Sequence, residues 1–332
     1  VSRLAVIGAG SWGTALALTL APKHGSVRLW VYEPDLCESI NRTRTNQAFL
    51  PGFTLPENIE AGNSLQWAVE GAETVLGVMP SHHARAIYTR LAPHATPEML
   101  FVSATKGLEP GSLLRMSEVI KDALGTRFKP RAGVLSGPTF AREIARGEPA
   151  AIVISSDDAD LARTIQTRFS GPSFRLYTNS DPVGVEIGAA LKNVIAIAAG
   201  VCAGLGLGAN TMAALITRGL AEITRLAVAA GGNARTLAGL AGLGDLVLTC
   251  NGELSRNRTV GCQLGQGRTL DEILSGMRMV AEGVQTTSAA VALAARHGVE
   301  VPIAAQMHAV LYENKPARAA LRDLMDRSLK EE

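Results

Sequence analysis

Lys192 stands in Ile187-Gly-Ala-Ala-Leu-Lys-Asn-Val-Ile-Ala-Ile-Ala-Ala-Gly200, where every neighbour except Asn193 is apolar or small. From Ile187 to Thr217 it is the only ionisable side chain apart from Cys202. An ammonium in such surroundings is expensive to bury unless it is paired or its proton is used. The plain alternative is a stem that snorkels out of a core helix. Two more polar clusters break the apolar pattern downstream. Asp245, in Gly242-Leu-Gly-Asp-Leu246, is the only acid between Glu222 and Glu253. Its glycines suggest a tight turn or close backbone approach, and its carboxylate could hold or counterbalance the ammonium. Ser255-Arg256-Asn257-Arg258 could supply several anion contacts near one another, arginine being the favoured fork for phosphate or carboxylate. Its plain alternative is a helix N-cap followed by solvated arginines. Together these residues read as a proton donor and acceptor, its counter-ion and a grip for an anionic substrate.

Such groups need a rigid mount. The chain opens Leu4-Ala-Val-Ile-Gly-Ala-Gly-Ser-Trp-Gly13, an apolar strand running straight into GxGxxG, followed by a helical pattern that Pro22 stops. Strand, glycine turn and helix in this order form a dinucleotide-binding unit. Gly8 allows the turn, Gly10 lets the backbone approach a pyrophosphate, and Gly13 lets helix and strand pack closely. The helix N-terminus adds N–H groups and the positive end of its dipole. A second strand, Val27 to Glu33, ends on an acid about 25 residues after the first glycine, where a ribose-binding carboxylate is expected. Glu33 would favour NAD by repelling a 2′-phosphate; Arg42 and Arg44 could serve that phosphate or belong to a solvated loop.

Further strand-like runs begin at Thr74, Met99, Gly133, Ala151 and Phe174. Ligands of a parallel sheet sit beyond the carboxyl ends of its strands, which draws attention to Pro80, Lys106, Gly137 and Thr139. Lys106 by itself reads as a surface loop residue. His82 and His83 read as a helix start without a catalytic partner. After Tyr177 the strand signals stop and the pattern becomes long, Ala-rich and helical. Pro182 marks a boundary, giving a dinucleotide-binding domain over 1–181 and a helical substrate-binding and catalytic domain over 182–332.

Two domains also suit the 332 residues of this chain. A net charge of +2 gives no sign of a nucleic-acid surface. Cys37, Cys202, Cys250 and Cys262 are scattered, with no metal-like spacing. They imply no metal and a reduced, cytoplasmic compartment. The first strand starts too early for a signal peptide. The uninterrupted apolar stretch from Val194 to about Ala209 falls short of the roughly 18 residues of a membrane span. A homodimer is compatible with the pattern.

A nicotinamide-binding fold needs a partner for the substrate oxygen. Hydride addition to a ketone creates an alkoxide that a positioned ammonium can stabilise and protonate. Lys192 suits this task if burial and a second cation such as Lys106 make its proton labile. The expected substrate is a small phosphorylated or carboxylated hydroxy or keto compound.

The blocks Gly8-Ala-Gly-Ser-Trp-Gly-Thr-Ala-Leu-Ala17, Ala104-Thr-Lys-Gly-Leu108, Leu135-Ser-Gly-Pro-Thr-Phe-Ala141, Ala190-Leu-Lys-Asn-Val194, Gly239-Leu-Ala-Gly-Leu-Gly-Asp-Leu246 and Ser255-Arg-Asn257 resemble the signatures of bacterial NAD(P)-dependent glycerol-3-phosphate dehydrogenases. Their order and spacing hold from Ile7 to Tyr312. The resemblance implies an α/β, Rossmann-type, mostly parallel sheet followed by an all-α domain, as in 6-phosphogluconate dehydrogenases. It implies reversible reduction of dihydroxyacetone phosphate to sn-glycerol 3-phosphate, with Lys192 as proton donor and acceptor. Lys106, Gly137, Thr139, Asp245, Ser255, Arg256 and Asn257 would hold the substrate. Ser11, Trp12, Tyr32, Glu33, Lys106, Ala141, Arg256, Val280 and Glu282 would line NAD or NADP. Tyr32 stands where many relatives carry a basic residue, and with Glu33 it argues against a strong NADP preference. Ala209 stands where an acid is common, a departure that leaves these substrate contacts intact. A 6-phosphogluconate dehydrogenase would not carry the Gly-Asp-Leu and Ser-Arg-Asn blocks. A UDP-sugar dehydrogenase would need a cysteine setting that Cys250 and Cys262 lack. A silent NAD(H) sensor should have lost Lys192 or Asp245.

Overall fold

The computed structural model describes residues 2–277 and 281–329. It divides into two compact units, Val1–Glu109 with Leu114–Pro182, and Val183–Glu332 with the short loop Pro110–Leu113. In that loop the Ser112 carbonyl accepts from Arg296 at 3.3 Å, which ties it to the second unit.

The first unit is built on β1 (Arg3–Ile7), β2 (Ser26–Trp30), a hairpin of β3 (Thr45–Asn46) and β4 (Leu50–Thr54), β5 (Ile59–Gly62), β6 (Thr74–Gly77), β7 (Leu100–Ser103), β8 (Arg131–Ser136), β9 (Ala150–Ser155) and β10 (Phe174–Asn179). Eight of these form one sheet in the order β10-β9-β8-β7-β6-β1-β2-β5. All neighbours run parallel except β8 and β9, which are antiparallel. Both faces of the sheet are covered. Leu4 and Val6 pack into one apolar cluster with Leu16 and Leu20, while Ala5 and Ile7 pack into another with Tyr88 and Phe101. This double burial is why β1 reads as a continuous apolar run rather than an alternating one. The chain leaves β1 for β2 on one side and returns to β6 on the other, so the order reverses at the carboxyl end of β1. Ligands of open α/β sheets bind at such a reversal.

Two features of the sheet lay outside the sequence reading. β5 is only four residues long, with Ile59 and Ala61 buried, too short to announce itself by period. The reversal of β9 and β10 is a pairing choice that no strand encodes alone. Pro22 ends the first helix as expected: the helix covers Ser11–Leu20 and passes into a 3-10 turn at Ala21–Lys23.

The described part of the second unit is helical. Its centre is the helix Pro182–Gly204, whose residues from Gly184 to Cys202 are all buried. At 23 residues it is longer than the apolar run after Lys192 suggested and long enough to cross a membrane, yet 89% of the relevant window is buried inside the protein. That is the signature of a core helix. Ala209–Ala229, Asp245–Asn251, Arg256–Gly265, Glu282–His297 and Pro302–Tyr312 belong to the same unit.

Candidate active site

The glycine turn follows β1 directly. Gly8 has φ +120°, and a Cβ there would lie 2.2 Å from the Val78 carbonyl oxygen. A Cβ on Gly13 would lie 1.9 Å from the Gly8 carbonyl oxygen. These two glycines are required by the fold itself. Gly10 is different: a Cβ there would meet nothing within 4 Å. It caps the Ser11–Leu20 helix with no side chain of its own, so the first-turn N–H groups of that helix receive no side-chain cap. Nearby, Trp12 Nε1 is buried without a hydrogen-bond partner among the described residues. An open cradle at a helix N-terminus, with an orphan donor beside it, fits the pyrophosphate of a dinucleotide.

At the end of β2, Tyr32 is 68% exposed and stacks edge-on against Trp30. Glu33 is exposed and starts the helix Pro34–Thr43 without a capping bond from its carboxylate. Arg44 is not available for a 2′-phosphate. Its backbone is left-handed at φ 56°, and its guanidinium donates to the carbonyls of Leu55, Pro56 and Ile59. It clamps the loop entering β5. Arg42 is exposed.

The ends of β7 and β8 converge. Lys106 Nζ donates to the Gly137 carbonyl at 3.4 Å, and Thr139 Oγ1 donates to the same oxygen at 3.2 Å. Lys106 is thus a strand-end group with a fixed position rather than a loose surface lysine. Gly137 has φ +153°, and a Cβ there would press on Ile152. Ala141 opens the short helix Ala141–Ala145 that follows.

The second unit holds the polar core that Lys192 announced. Lys192 is 4% exposed and Asp245 is fully buried. Lys192 Nζ donates to Asp245 Oδ1 and, at 2.8 Å, to Thr249 Oγ1. The Thr249 hydroxyl donates in turn to the Asp245 backbone carbonyl at 2.6 Å. Its proton is therefore committed to the backbone, and a lone pair faces the ammonium. The lysine does not snorkel: it forms a buried ion pair. Thr249 was missed by the sequence reading, although it lies one helical turn after Asp245, on the same face.

Ser255 caps the helix Arg256–Gly265, its Oγ accepting from Arg258 N at 3.3 Å. The capping alternative is thus realised, yet the hydroxyl proton remains a donor, and Arg256 beside it is exposed. Asn257 Oδ1 accepts from Gly283 N at 2.9 Å, which leaves Nδ2 as the end of the amide that can donate. Asn193, 3% exposed, has a buried Nδ2 with no partner among the described residues. An orphan amide next to Lys192 is costly unless a ligand accepts from it. Glu282 is half-buried at the start of the helix Glu282–His297; Val280 lies outside the described residues.

Small residues bring these groups together. A Cβ on Gly200 would lie 2.0 Å from the Arg258 carbonyl oxygen, and one on Gly261 would lie 1.9 Å from that of Ile197. The helices bearing Lys192 and Asn257 therefore touch backbone to backbone. Lys192, Asn193, Asp245, Thr249, Ser255 and Asn257 are all buried polar residues of this helical unit.

Comparison with known proteins places this chain in a family. Two family models match: the N-terminal part of NAD-dependent glycerol-3-phosphate dehydrogenase over residues 3–162, and its C-terminal part over residues 181–322. The chain belongs to the NAD-dependent glycerol-3-phosphate dehydrogenase family. It is 60% identical to the glycerol-3-phosphate dehydrogenase [NAD(P)+] of Koribacter versatilis, with 98% of each chain covered. It is 53% identical to that of Syntrophotalea carbinolica, with 99% of each covered. The crystal structure of glycerol-3-phosphate dehydrogenase from Coxiella burnetii superposes with a TM-score of 0.94 at 40% identity, covering 98% of this chain and 99% of the other.

Proposed function

We infer that this oxidoreductase reversibly reduces dihydroxyacetone phosphate to sn-glycerol 3-phosphate with NADH or NADPH. The family membership supports the reaction. The observation that carries the chemistry is the buried Lys192–Asp245–Thr249 cluster.

When bound, the reduced nicotinamide supplies the hydride that converts the ketone carbon to a carbinol. Lys192 Nζ donates its proton to the oxygen that would otherwise become an alkoxide. Asp245 keeps the lysine charged before transfer, and Thr249, an acceptor towards Nζ, holds it in place. In the oxidative direction the neutral amine takes the hydroxyl proton. Asn193 Nδ2, buried and unsatisfied, is suited to donate to a substrate oxygen. Ser255, Arg256 and Asn257 Nδ2 gather N–H and O–H donors at one helix N-terminus, the pattern that holds a phosphate. In the first unit, Gly8, Gly10, Ser11, Trp12 and Gly13 hold the pyrophosphate and Glu33 the ribose. Lys106, Gly137 and Thr139 form a strand-end group in the same unit that is suited to meet a ligand, with Ala141 beside the cofactor. No metal takes part in this scheme. The product is the glycerol backbone of glycerophospholipid synthesis. The four free cysteines support a reducing, cytoplasmic setting, and a homodimer is the assembly we expect.

The test is direct. Purified protein should consume NADH or NADPH only when dihydroxyacetone phosphate is present. Absence of turnover in a folded, cofactor-binding preparation would remove the assignment.

A further inference from the structure

Asn46 is fully buried, although it sits in the short hairpin β3–β4 between exposed neighbours such as Gln47 and Ala48. Its Nδ2 donates to the Ala9 carbonyl at 2.8 Å and to Thr14 Oγ1 at 2.9 Å. The hydroxyl of Thr14, itself fully buried, donates to the same Ala9 carbonyl at 3.3 Å. Asn46 Oδ1 accepts from Phe49 N at 3.1 Å, which fixes the orientation of the amide. Two donors thus converge on one carbonyl oxygen in the middle of the glycine turn.

The peptide joining Ala9 to Gly10 is planar and trans, so its C=O and N–H point in opposite directions. Drawing the Ala9 carbonyl towards Asn46 and Thr14 turns the Gly10 N–H away from those side chains, at a residue where an added Cβ would meet nothing within 4 Å. Glycine on both sides of Ala9 makes this peptide easy to rotate. Without an anchor it could flip and present a carbonyl oxygen to the phosphates instead of an N–H.

We propose that Asn46, together with Thr14, is a positioning residue that locks the Ala9–Gly10 peptide with its N–H facing the dinucleotide phosphates. The hairpin is thereby part of the cofactor-binding apparatus even though Asn46 touches no ligand. This rests on the reading that the glycine turn holds NAD(H).

The experiment measures the dissociation constant of NADH by quenching of tryptophan fluorescence, and steady-state kinetics, for wild type, Asn46→Ala, Thr14→Val and Thr14→Ser. Wild-type protein that does not bind NADH removes the cofactor reading itself. Given wild-type binding, Asn46→Ala and Thr14→Val should each weaken NADH by roughly 10-fold, the scale of a lost buried hydrogen bond. The loss should appear in KM for NADH, with kcat falling by less than about threefold, because the Lys192 cluster is untouched. Thr14→Ser keeps the hydroxyl and should bind as wild type. A merely structural role would lower the unfolding midpoint and leave the dissociation constant of the folded fraction unchanged; that result overturns the proposal. If Asn46→Ala does not fold, the Thr14→Val and Thr14→Ser pair decides. Equal binding by those two variants refutes the lock, and a 10-fold gap between them supports it.

Discussion

Replacing Lys192 by methionine keeps most of the apolar stem and removes only the ammonium. The partner left behind is Asp245, fully buried, with Thr249 Oγ1 beside it. Removing one member of a buried pair strands the other charge, at a cost of about 3–5 kcal/mol. The variant should therefore unfold at markedly lower urea concentration at neutral pH. Activity should fall more steeply still. Loss of a general acid removes about 10²–10⁴-fold in rate. A fall of three decades corresponds to ~4 kcal/mol of lost transition-state stabilisation. NADH should still bind, since the substitution leaves the glycine turn of the first unit unaltered. A second variant separates the two effects. In Lys192→Met with Asp245→Leu, the pair is replaced by apolar groups, a change often neutral or stabilising. Stability should return while turnover stays lost. The assay is oxidation of NADH by dihydroxyacetone phosphate, alongside urea denaturation and NADH titration. A Lys192→Met enzyme with near-wild-type kcat would sink the proton-transfer role. A double variant no more stable than the single one would sink the electrostatic account of the pair.

Gly10→Ala should fold with stability within about 0.5 kcal/mol of wild type, because its Cβ has open space, yet bind NADH at least 10-fold more weakly; unchanged affinity would place the phosphates elsewhere. Gly261→Ala should lose about 1–3 kcal/mol or more, since the new Cβ would lie 1.9 Å from the Ile197 carbonyl, and kcat should fall with it as the helices separate; a full-activity, full-stability variant would refute the rigid crossing. Glu222 is 1% exposed and accepts from the N–H groups of Ile303 and Ala304. Burial pushes its carboxyl up to about 7 from its ordinary 4.5, against the backbone bonds and the nearby Arg225 and Arg327. The folded state then holds a proton that the unfolded state releases, so this group's contribution is greatest below pH 4.5 and falls as pH rises through 7. The change is on the order of 3 kcal/mol. Relative to wild type, Glu222→Gln should gain stability by that order between pH 5 and pH 8, and parallel urea midpoints at the two pH values would contradict it. With Glu33 exposed at the end of β2 and Arg44 clamped to backbone carbonyls, kcat/KM for NADPH should exceed that for NADH by less than about 100-fold, or ~2.7 kcal/mol; a larger ratio would require a phosphate-binding cation elsewhere.

The glycine turn was legible because all of its determinants are local: a buried strand, a turn that only glycine permits, and a helix start lie within a few residues of one another. The polar residues that interrupt the helical half were legible for a related reason, since an ionisable group in an apolar run needs an explanation wherever it lies. Arg44 stays open in the sequence between a phosphate ligand and a solvated loop residue, because its clamp on three carbonyls arises only through the fold. Asn46 gave no signal, being one polar residue in a short hairpin. Its importance lies in a contact with Ala9, 37 positions away.

By itself, the sequence determined the type of each domain, the position of the glycine turn and the singularity of Lys192 in its apolar run, because propensity, periodicity and the burial cost of a charge act along the chain. Tertiary structure decided that Lys192 is buried against Asp245, the counter-ion the sequence offered 53 positions away, and it alone supplied Thr249 as a second partner. It also decided that β9 and β10 oppose the other strands of the sheet and that Asn46 anchors the turn. Those outcomes depend on which distant backbones can approach, and side-chain size at the crossing points sets that.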